Sequence, residues 1–279
     1  MSLTIESYRD EQYMSCNSEC MLRSVEINPT ELCNRHCSFC PRSDRDIYKN
    51  KANHISLETI KNICAGLNEI EYTNRIGLVG FGEPLLHPKI INCVELVRKL
   101  IPGVKWLEIN TNGDKLTRNI IERLSTAGCS HITVSMYDSD ISDKLDKISK
   151  DIDIQMIYRH HYSKQNNYNL NIVNRTELLK NTPVCHTTDT CYIPFYKLMV
   201  DWNGDVLLCN NDWSRKNIFG NVNSDTIYDI WFGRKMNIFR KKLLKTRKNC
   251  SPCKNCSVNG LKRGIESVNN YRKYHEHRF

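Results

Sequence analysis

The sequence predicts an α/β protein. Parallel strands and helices should alternate into a curved, incomplete barrel or a doubly wound sheet, followed by a small hairpin-and-helix unit. Three observations carry this expectation. Strand-like and helix-like apolar patterns alternate from about residue 22 to about residue 175. The pattern then changes, and two alternating runs meet at Asn203-Gly204, a strong two-residue turn signal. Two tight groups of cysteines, at 33/37/40 and 250/253/256, follow predicted regular elements.

Residues 1–21 are polar and read as an irregular lead-in. LRSVEIN (22–28) alternates as a strand and runs into Pro29 and the first cysteine group. Ser56 opens SLETIKNICAGLNEI, whose apolar residues recur at helical spacing, with Glu58 in the first turn. RIGLVG (75–80) reads as a buried strand ending in Gly80-Phe81-Gly82-Glu83-Pro84. A helix over 88–101 starts with Pro88, which suits a first helical turn. KWLEINTNG is a strand ending at Asn112-Gly113, and LTRNIIERLSTAG is a helix closed by Gly128. HITVSMYD is a strand and SDISDKLDKISK a polar helix. IDIQMIY (152–158) and YNLNIVN (168–174) are two further strand candidates, which brings the count to six. YKLMVDWNGDVLLC is a hairpin. Residues 224–246 form one helix, or two broken near Gly233, and a polar, basic tail ends the chain.

Domains follow as a lead-in at 1–21, the strand–helix unit at 22–180, a cysteine-bearing unit at 181–260 and a tail at 261–279. Chemistry in either alternating architecture gathers at the C-terminal ends of strands. The first cysteine group, the GFGEP turn, Asn110 to Gly113 and Ser135 all fall at or near such ends.

Composition is that of a globular protein, 40% hydrophobic and 25% charged. No apolar run reaches the roughly 18 residues that a membrane span needs. The acidic, core-less N-terminus does not resemble a secretory signal, so a cytoplasmic, reducing location is expected. The formal charge of +9 is uneven: residues 234–279 hold 14 Lys/Arg and 2 Asp/Glu, or +12, leaving about −3 for the rest. Such a run could meet a polyanion, but it is more often a solubilising helix face, which argues against a nucleic-acid partner.

Fourteen cysteines are too many for ordinary core use, and clustered thiols in a reducing compartment bind metal or do redox chemistry. Cys33, Cys37 and Cys40 form C-x3-C-x2-C on a loop after a strand. Soft thiolates select zinc, Cu(I) or iron–sulfur clusters. Structural zinc takes four ligands, and no fourth cysteine is local, although His36 could be offered. Three protein ligands to a cubane leave one iron open, and an open position marks a catalytic metal site.

This triplet, with the aromatic Phe39 before its third cysteine, resembles the signature of the radical S-adenosylmethionine (SAM) superfamily. The resemblance implies a partial (β/α)6 TIM-like barrel. It also implies a [4Fe–4S] cluster on Cys33, Cys37 and Cys40, whose open iron is chelated by S-adenosyl-L-methionine. One electron from the reduced cluster then cleaves the sulfonium, and the resulting 5′-deoxyadenosyl radical abstracts hydrogen from substrate. GFGEP resembles the family's GGEP motif, with Phe81 in place of its first glycine. Gly82 would let the backbone approach a ligand, and Glu83 would accept from the SAM ammonium. Asn110, Asn112 and Ser135, with Thr111, would face the ribose or carboxylate of SAM.

From Cys191 onward the chain resembles the SPASM and twitch extensions of that superfamily, a β-hairpin plus helix unit holding auxiliary clusters. The resemblance implies one auxiliary [4Fe–4S] cluster on Cys191, Cys209, Cys253 and Cys256. Cys185 could compete as a ligand and Cys250 could displace Cys256, and a zinc ribbon is the other reading of these cysteines. In twitch-bearing aminocyclitol dehydrogenases an arginine on the last barrel strand contacts the reacting hydroxyl, and Arg175 is the match here. The implied activity is oxidation of an alcohol on a small polar substrate, a sugar, aminocyclitol or nucleotide sugar, with a flavodoxin- or ferredoxin-type electron donor. Epimerisation or peptide modification is the alternative within the same chemistry. Arg159, His160 and His161 could meet an anionic group, or be a solvated basic cluster.

Overall fold

The computed structural model describes residues 22–161, 178–179, 190–258 and 264–276. Within them eight strands form one sheet in the order β5-β4-β3-β2-β1-β6-β7-β8. β1 (Ser24–Ile27), β2 (Arg75–Leu78), β3 (Trp106–Thr111), β4 (His131–Met136) and β5 (Gln155–His160) are parallel neighbours. The candidate strand at 168–174 lies outside the described residues.

The crossovers are α1 (Leu57–Glu69), α2 (Ile90–Leu100), α3 (Arg118–Thr126) and α4 (Ser142–Ser149). α1 starts where the sequence places it, because the Ser56 side chain accepts from Thr59 N. Pro88 lies just ahead of α2, whose cap is Lys89. α3 is capped by Thr117 and followed by Gly128 at φ +91, a left-handed position that suits glycine. The helices bury Ile60, Ile63, Leu67, Val94, Val97, Ile121 and Leu124 against one face of the sheet, which offers Val25, Ile27, Ile76, Leu78, Leu107, Ile109, Ile132 and Val134. Truncating one such residue, Leu67→Ala, costs about 2–5 kcal/mol.

The opposite face carries charge. Arg75 donates from Nε to Glu108 at 2.8 Å and from Nη1 to Ser24 at 2.7 Å, and Lys197 reaches Glu26 at 2.6 Å. Burial by itself would raise the Glu26 pKa, but Lys197 and Arg75 hold the carboxyl below its ordinary range. Gly77 makes room for this lattice, since a Cβ there would stand 2.9 Å from an Arg75 nitrogen.

The hairpin expected after residue 190 is present and joins the barrel sheet. β6 (Lys197–Val200) pairs in parallel with β1, and β7 (Asp205–Leu207) returns antiparallel through Gly204 at φ +89. A third strand, β8 (Ile218–Asn221), pairs with β7 and has no counterpart in the sequence reading. Ile193–Tyr196 forms the short α5. The helical run at 224–246 is two helices, α6 (Ile227–Phe232) and α7 (Arg234–Lys245), parted at Gly233. The basic tail contains α8 (Ile265–Glu276), which buries Val268 and Tyr271, the latter edge-on to Phe195. Among the described residues no helix is long and apolar enough to cross a membrane.

Candidate functional site: two thiol centres at the strand ends

The ends of β1, β2 and β6 are tied through Asn28, which is fully buried. Its Nδ2 donates to Asp201 Oδ1 at 2.8 Å and its Oδ1 accepts from Phe81 N at 3.0 Å. The cysteine loop leaves β1 under similar restraint. Asn50 clamps Cys33 from both sides, accepting from Cys33 N and donating to Cys33 O, each at 3.0 Å. Cys40 N donates to Cys37 O at 2.9 Å, closing the turn between the second and third cysteines. Phe39 packs against Tyr137, at the end of β4, with ring centroids 5.0 Å apart.

The three thiols share one electrostatic neighbourhood. Burial raises the Cys33 pKa against the pull of the Arg35 backbone and the Arg42 charge, and Cys40 pushes it further up. Cys37 is pushed to about 11 by burial, with Cys40 and Cys33 adding to it.

The GFGEP turn is held against this loop. Glu83 N donates to Leu32 O at 2.7 Å. A Cβ on Gly82 would stand 2.2 Å from Thr30 O and 2.6 Å from Leu32 O, so only glycine fits. The Glu83 carboxylate is 3% exposed and has three protein donors. Thr111 Oγ1 donates to Oε1 at 2.6 Å, Leu85 N to Oε1 at 3.1 Å and Asn112 N to Oε2 at 2.8 Å. Burial raises its pKa while these donors pull it down. The carboxylate that the sequence reading gave to a ligand ammonium also braces β3 against the turn. Asn112 extends the brace, with Nδ2 donating to Asn34 Oδ1 at 2.9 Å. Asn110 and Ser135 sit side by side, Ser135 Oγ donating to Asn110 Oδ1 at 3.4 Å.

Three residues without a motif complete the frame. Arg35 binds Asp114 at 2.7 Å and Asp138 at 2.5 Å, and the hydrogen bond to Arg35 lowers the Asp114 pKa. Arg215, after β7, donates to Asp201 at 2.5 Å, Glu31 at 2.7 Å and Tyr48 Oη at 2.7 Å. Trp213 packs between Tyr48 and Phe81, at 4.9 and 4.7 Å. Thus the loop after Cys209 grips both the first cysteine loop and the GFGEP turn. Arg35 was visible between two cysteines, but no local pattern marks Arg215 or Trp213.

The second centre lies among α5, β7 and the segment after α7. Cys191, Cys209 and Cys253 are buried and Cys256 is half-buried. Burial raises Cys253, and Cys209, Cys191 and Cys256 raise it further. Burial likewise raises Cys209 and Cys191, with Cys256 acting on both. Cys250 influences Cys253, but its own thiol donates to Thr246 O at 3.4 Å. Arg175 and Cys185 lie outside the described residues. The donor chemistry is that of iron–sulfur ligands, with soft thiols that act on one another electrostatically in each group, and among the described residues no three His, Cys, Asp or Glu side chains stand close enough to hold a single metal ion.

A partial barrel with three thiols on the loop after its first strand defines the class of protein. Residues 27–162 match the family model of the radical SAM superfamily, and residues 191–257 match the SPASM iron–sulfur cluster-binding domain. The chain belongs to the radical SAM superfamily and is a radical SAM oxidoreductase, with SAM, a SAM-binding cluster and auxiliary iron–sulfur chemistry as its cofactors.

Among known proteins, it is 28% identical over 242 residues to the S-adenosyl-L-methionine-dependent 2-deoxy-scyllo-inosamine dehydrogenase of Niallia circulans, covering 84% of this chain and 92% of that protein. It is 28% identical over 137 residues to a GTP 3′,8-cyclase of Chlorobaculum tepidum, 46% of this chain and 39% of the cyclase. Among solved structures, BtrN in complex with AdoMet and 2-DOIA superposes with a TM-score of 0.74 at 26% identity, covering 86% of this chain and 95% of that one. Native anSMEcpe with bound AdoMet shares the fold, with a TM-score of 0.55 at 16% identity over 91% and 97% of the two chains.

Proposed function

We propose that this radical SAM enzyme oxidises a secondary alcohol on a small aminocyclitol- or sugar-like molecule. The observation that carries this reading is the match to an S-adenosyl-L-methionine-dependent 2-deoxy-scyllo-inosamine dehydrogenase over 92% of that protein's length, and two groups of thiols, one after β1 and one around the β6–β7 hairpin and the segment after α7, support it. Cys33, Cys37 and Cys40 would hold the SAM-binding cluster, and Cys191, Cys209, Cys253 and Cys256 the auxiliary one. When bound, these groups and SAM supply the hydrogen-abstracting centre and an acceptor for the second electron.

The chain's own contribution is placement. Glu83, Asn112 and Asn34 fix the turn and the cysteine loop against each other. Asn110 and Ser135 offer polar atoms between β3 and β4. Arg175, 16 residues before Cys191, would stand beside the reacting hydroxyl. Cys64 in α1, Cys93 in α2 and Cys129 ahead of β4 are buried in the core, at 0–3% exposure, and so out of reach of a substrate radical at the C-terminal strand ends, which leaves Cys250 and Cys185 as the thiols an epimerisation would use. The thiol-rich chain fits the cytoplasm, with a flavodoxin- or ferredoxin-type donor.

The test is anaerobic turnover of reconstituted protein with SAM, dithionite and 2-deoxy-scyllo-inosamine. The expected products are 5′-deoxyadenosine and a ketone lighter than the substrate by one hydrogen molecule. 5′-Deoxyadenosine with unchanged substrate mass and deuterium from D2O at carbon would replace oxidation by epimerisation. Cleavage of SAM without any change in an aminocyclitol or sugar panel would remove the substrate class.

A further inference from the structure

Each thiol group has beside it an arginine that is buried and, among the described residues, paired with no carboxylate. Arg42, two residues after Cys40, is 2% exposed. Its Nε donates to Phe81 O at 2.6 Å, its Nη1 to Asn50 Oδ1 at 3.0 Å, and its guanidinium lies 4.8 Å from the Tyr48 ring centroid. The same Asn50 oxygen accepts from Cys33 N, so the guanidinium and the Cys33 backbone share one acceptor. Nη2 is buried with no partner. Glu31 and Asp201 are paired with Arg215.

Arg247 repeats the arrangement at the second centre. It is 2% exposed, its Nη1 donates to Val258 O at 2.7 Å and to Cys256 O at 3.5 Å, and its Nε and Nη2 are buried without partners. Its contact with the Cys256 carbonyl ties it to the second cysteine group, as the shared Asn50 oxygen ties Arg42 to Cys33.

A buried cation is costly unless a counter-charge meets it, and neutral carbonyls offset only part of that cost. A cluster held by thiolates supplies that charge, because the thiolates outweigh the positive core, and every added electron increases the imbalance. Net charge and hydrogen bonds to sulfur are also among the factors that set a cluster's reduction potential. Arg240 marks the contrast. It too is buried, with an Nη2 that finds no partner among the described residues, but its contacts are the Trp231 ring at 4.0 Å and the carbonyls of Pro194 and Trp231, none of them on a cysteine loop.

We propose that Arg42 and Arg247 are the buried counter-charges of the two iron–sulfur centres, Arg42 for the SAM-binding centre and Arg247 for the auxiliary one, each raising the reduction potential of its own centre. The inference rests on the cysteine assignment made above. Both arginines act as positioning charges and touch no substrate.

The test is an EPR-monitored redox titration of the full, cluster-loaded protein, in which added SAM perturbs one signal and leaves the other unchanged. Arg42→Gln should lower the potential of the SAM-responsive signal by at least a tenfold shift of its one-electron equilibrium, about 59 mV, and leave the other in place. Arg247→Gln should do the reverse, Arg42→Lys and Arg247→Lys should stay near wild type, and Arg240→Gln should move neither. A glutamine variant that loses only its own centre while its lysine counterpart keeps it also supports the proposal. Unmoved potentials, equal shifts at both centres, lysine variants that behave as glutamine ones, or loss of the centre in both would overturn it. Wild-type protein without a SAM-responsive cubane would instead overturn the cysteine assignment.

Discussion

Glu83 should be a brace whose loss is felt as SAM affinity. Its carboxylate is buried and accepts from Thr111 Oγ1, Leu85 N and Asn112 N. In Glu83→Gln one oxygen becomes an NH2 group. Placed at the Oε2 position, it faces the Asn112 amide, donor against donor. Placed at the Oε1 position, it faces the Leu85 amide. Either way one buried N–H loses its acceptor, at a cost of about 1–3 kcal/mol. The strain passes through Asn112 to Asn34, in the loop between Cys33 and Cys37. If SAM binding requires that loop in place, its Kd rises about ten- to hundredfold, at 1.4 kcal/mol per decade. Glu83→Ala removes the acceptor from all three donors and should cost more. Iron content should stay at the wild-type level in the glutamine variant, because no cysteine moves out of its own loop. The assay is calorimetric titration of SAM into anaerobically reconstituted protein, with iron measured on the same sample. A Kd for Glu83→Gln within threefold of wild type would show that the brace does not govern SAM binding.

Three further outcomes follow from the same contacts. Cys209→Ala should lose about half of the iron, keep a SAM-responsive EPR signal and form 5′-deoxyadenosine without ketone; full iron content would mean that Cys209 is no ligand. Arg215→Met strands the buried Asp201 and Glu31, so the loaded protein should lose about 2–4 kcal/mol in urea unfolding, with faster hydrogen exchange at residues 29–53; unchanged exchange there would disprove the cross-domain grip. Burial lowers the His131 pKa from 6.5 to about 4, with Glu108 opposing. Between those values the unfolded chain takes up a proton that the folded chain refuses, so stability falls as pH drops through that window and levels below it. Allowing for partial exposure, wild type should lose about 1 kcal/mol more than His131→Gln between pH 7 and pH 5. Parallel losses would locate the titration elsewhere.

Local signals in the sequence survive in the structure because their causes are local. Ser56 caps α1 through Thr59 N, Gly128 takes a positive φ after α3, and Asn203-Gly204 turns the hairpin. Gly233 parts α6 from α7 because a Cβ there would meet Asp229 O at 2.0 Å. What the sequence could not show depends on register between distant segments. The pairing of β6 with β1, which makes the auxiliary hairpin an extension of the barrel sheet, joins residues 173 apart, as the Asn28–Asp201 hydrogen bond does. β8 is hidden for a similar reason. Its four residues include Gly220, and only the edge of β7 makes them a strand.

The two cysteine groups show the same boundary in chemical terms. Cys33, Cys37 and Cys40 lie within one loop, so their spacing alone makes them neighbours that act on one another electrostatically. The second centre draws on α5, on the end of the hairpin and on the turn after α7, so spacing leaves Cys185, Cys250 and Cys256 as rivals. Cys250 and Cys256 both act electrostatically on Cys253, but they differ in their other neighbours. Cys256 acts electrostatically on Cys191, Cys209 and Cys253, whereas the Cys250 thiol is turned to a backbone carbonyl of its own helix end. The motif glycines teach the converse. Gly80 and Gly82 suggest a backbone opened for a ligand, yet the atoms a Cβ would strike are Asn28 Oδ1 and Thr30 O, each at 2.2 Å. Their small size first lets the turn seat against the cysteine loop. Substitutions that relax this packing should therefore weaken SAM binding without touching SAM.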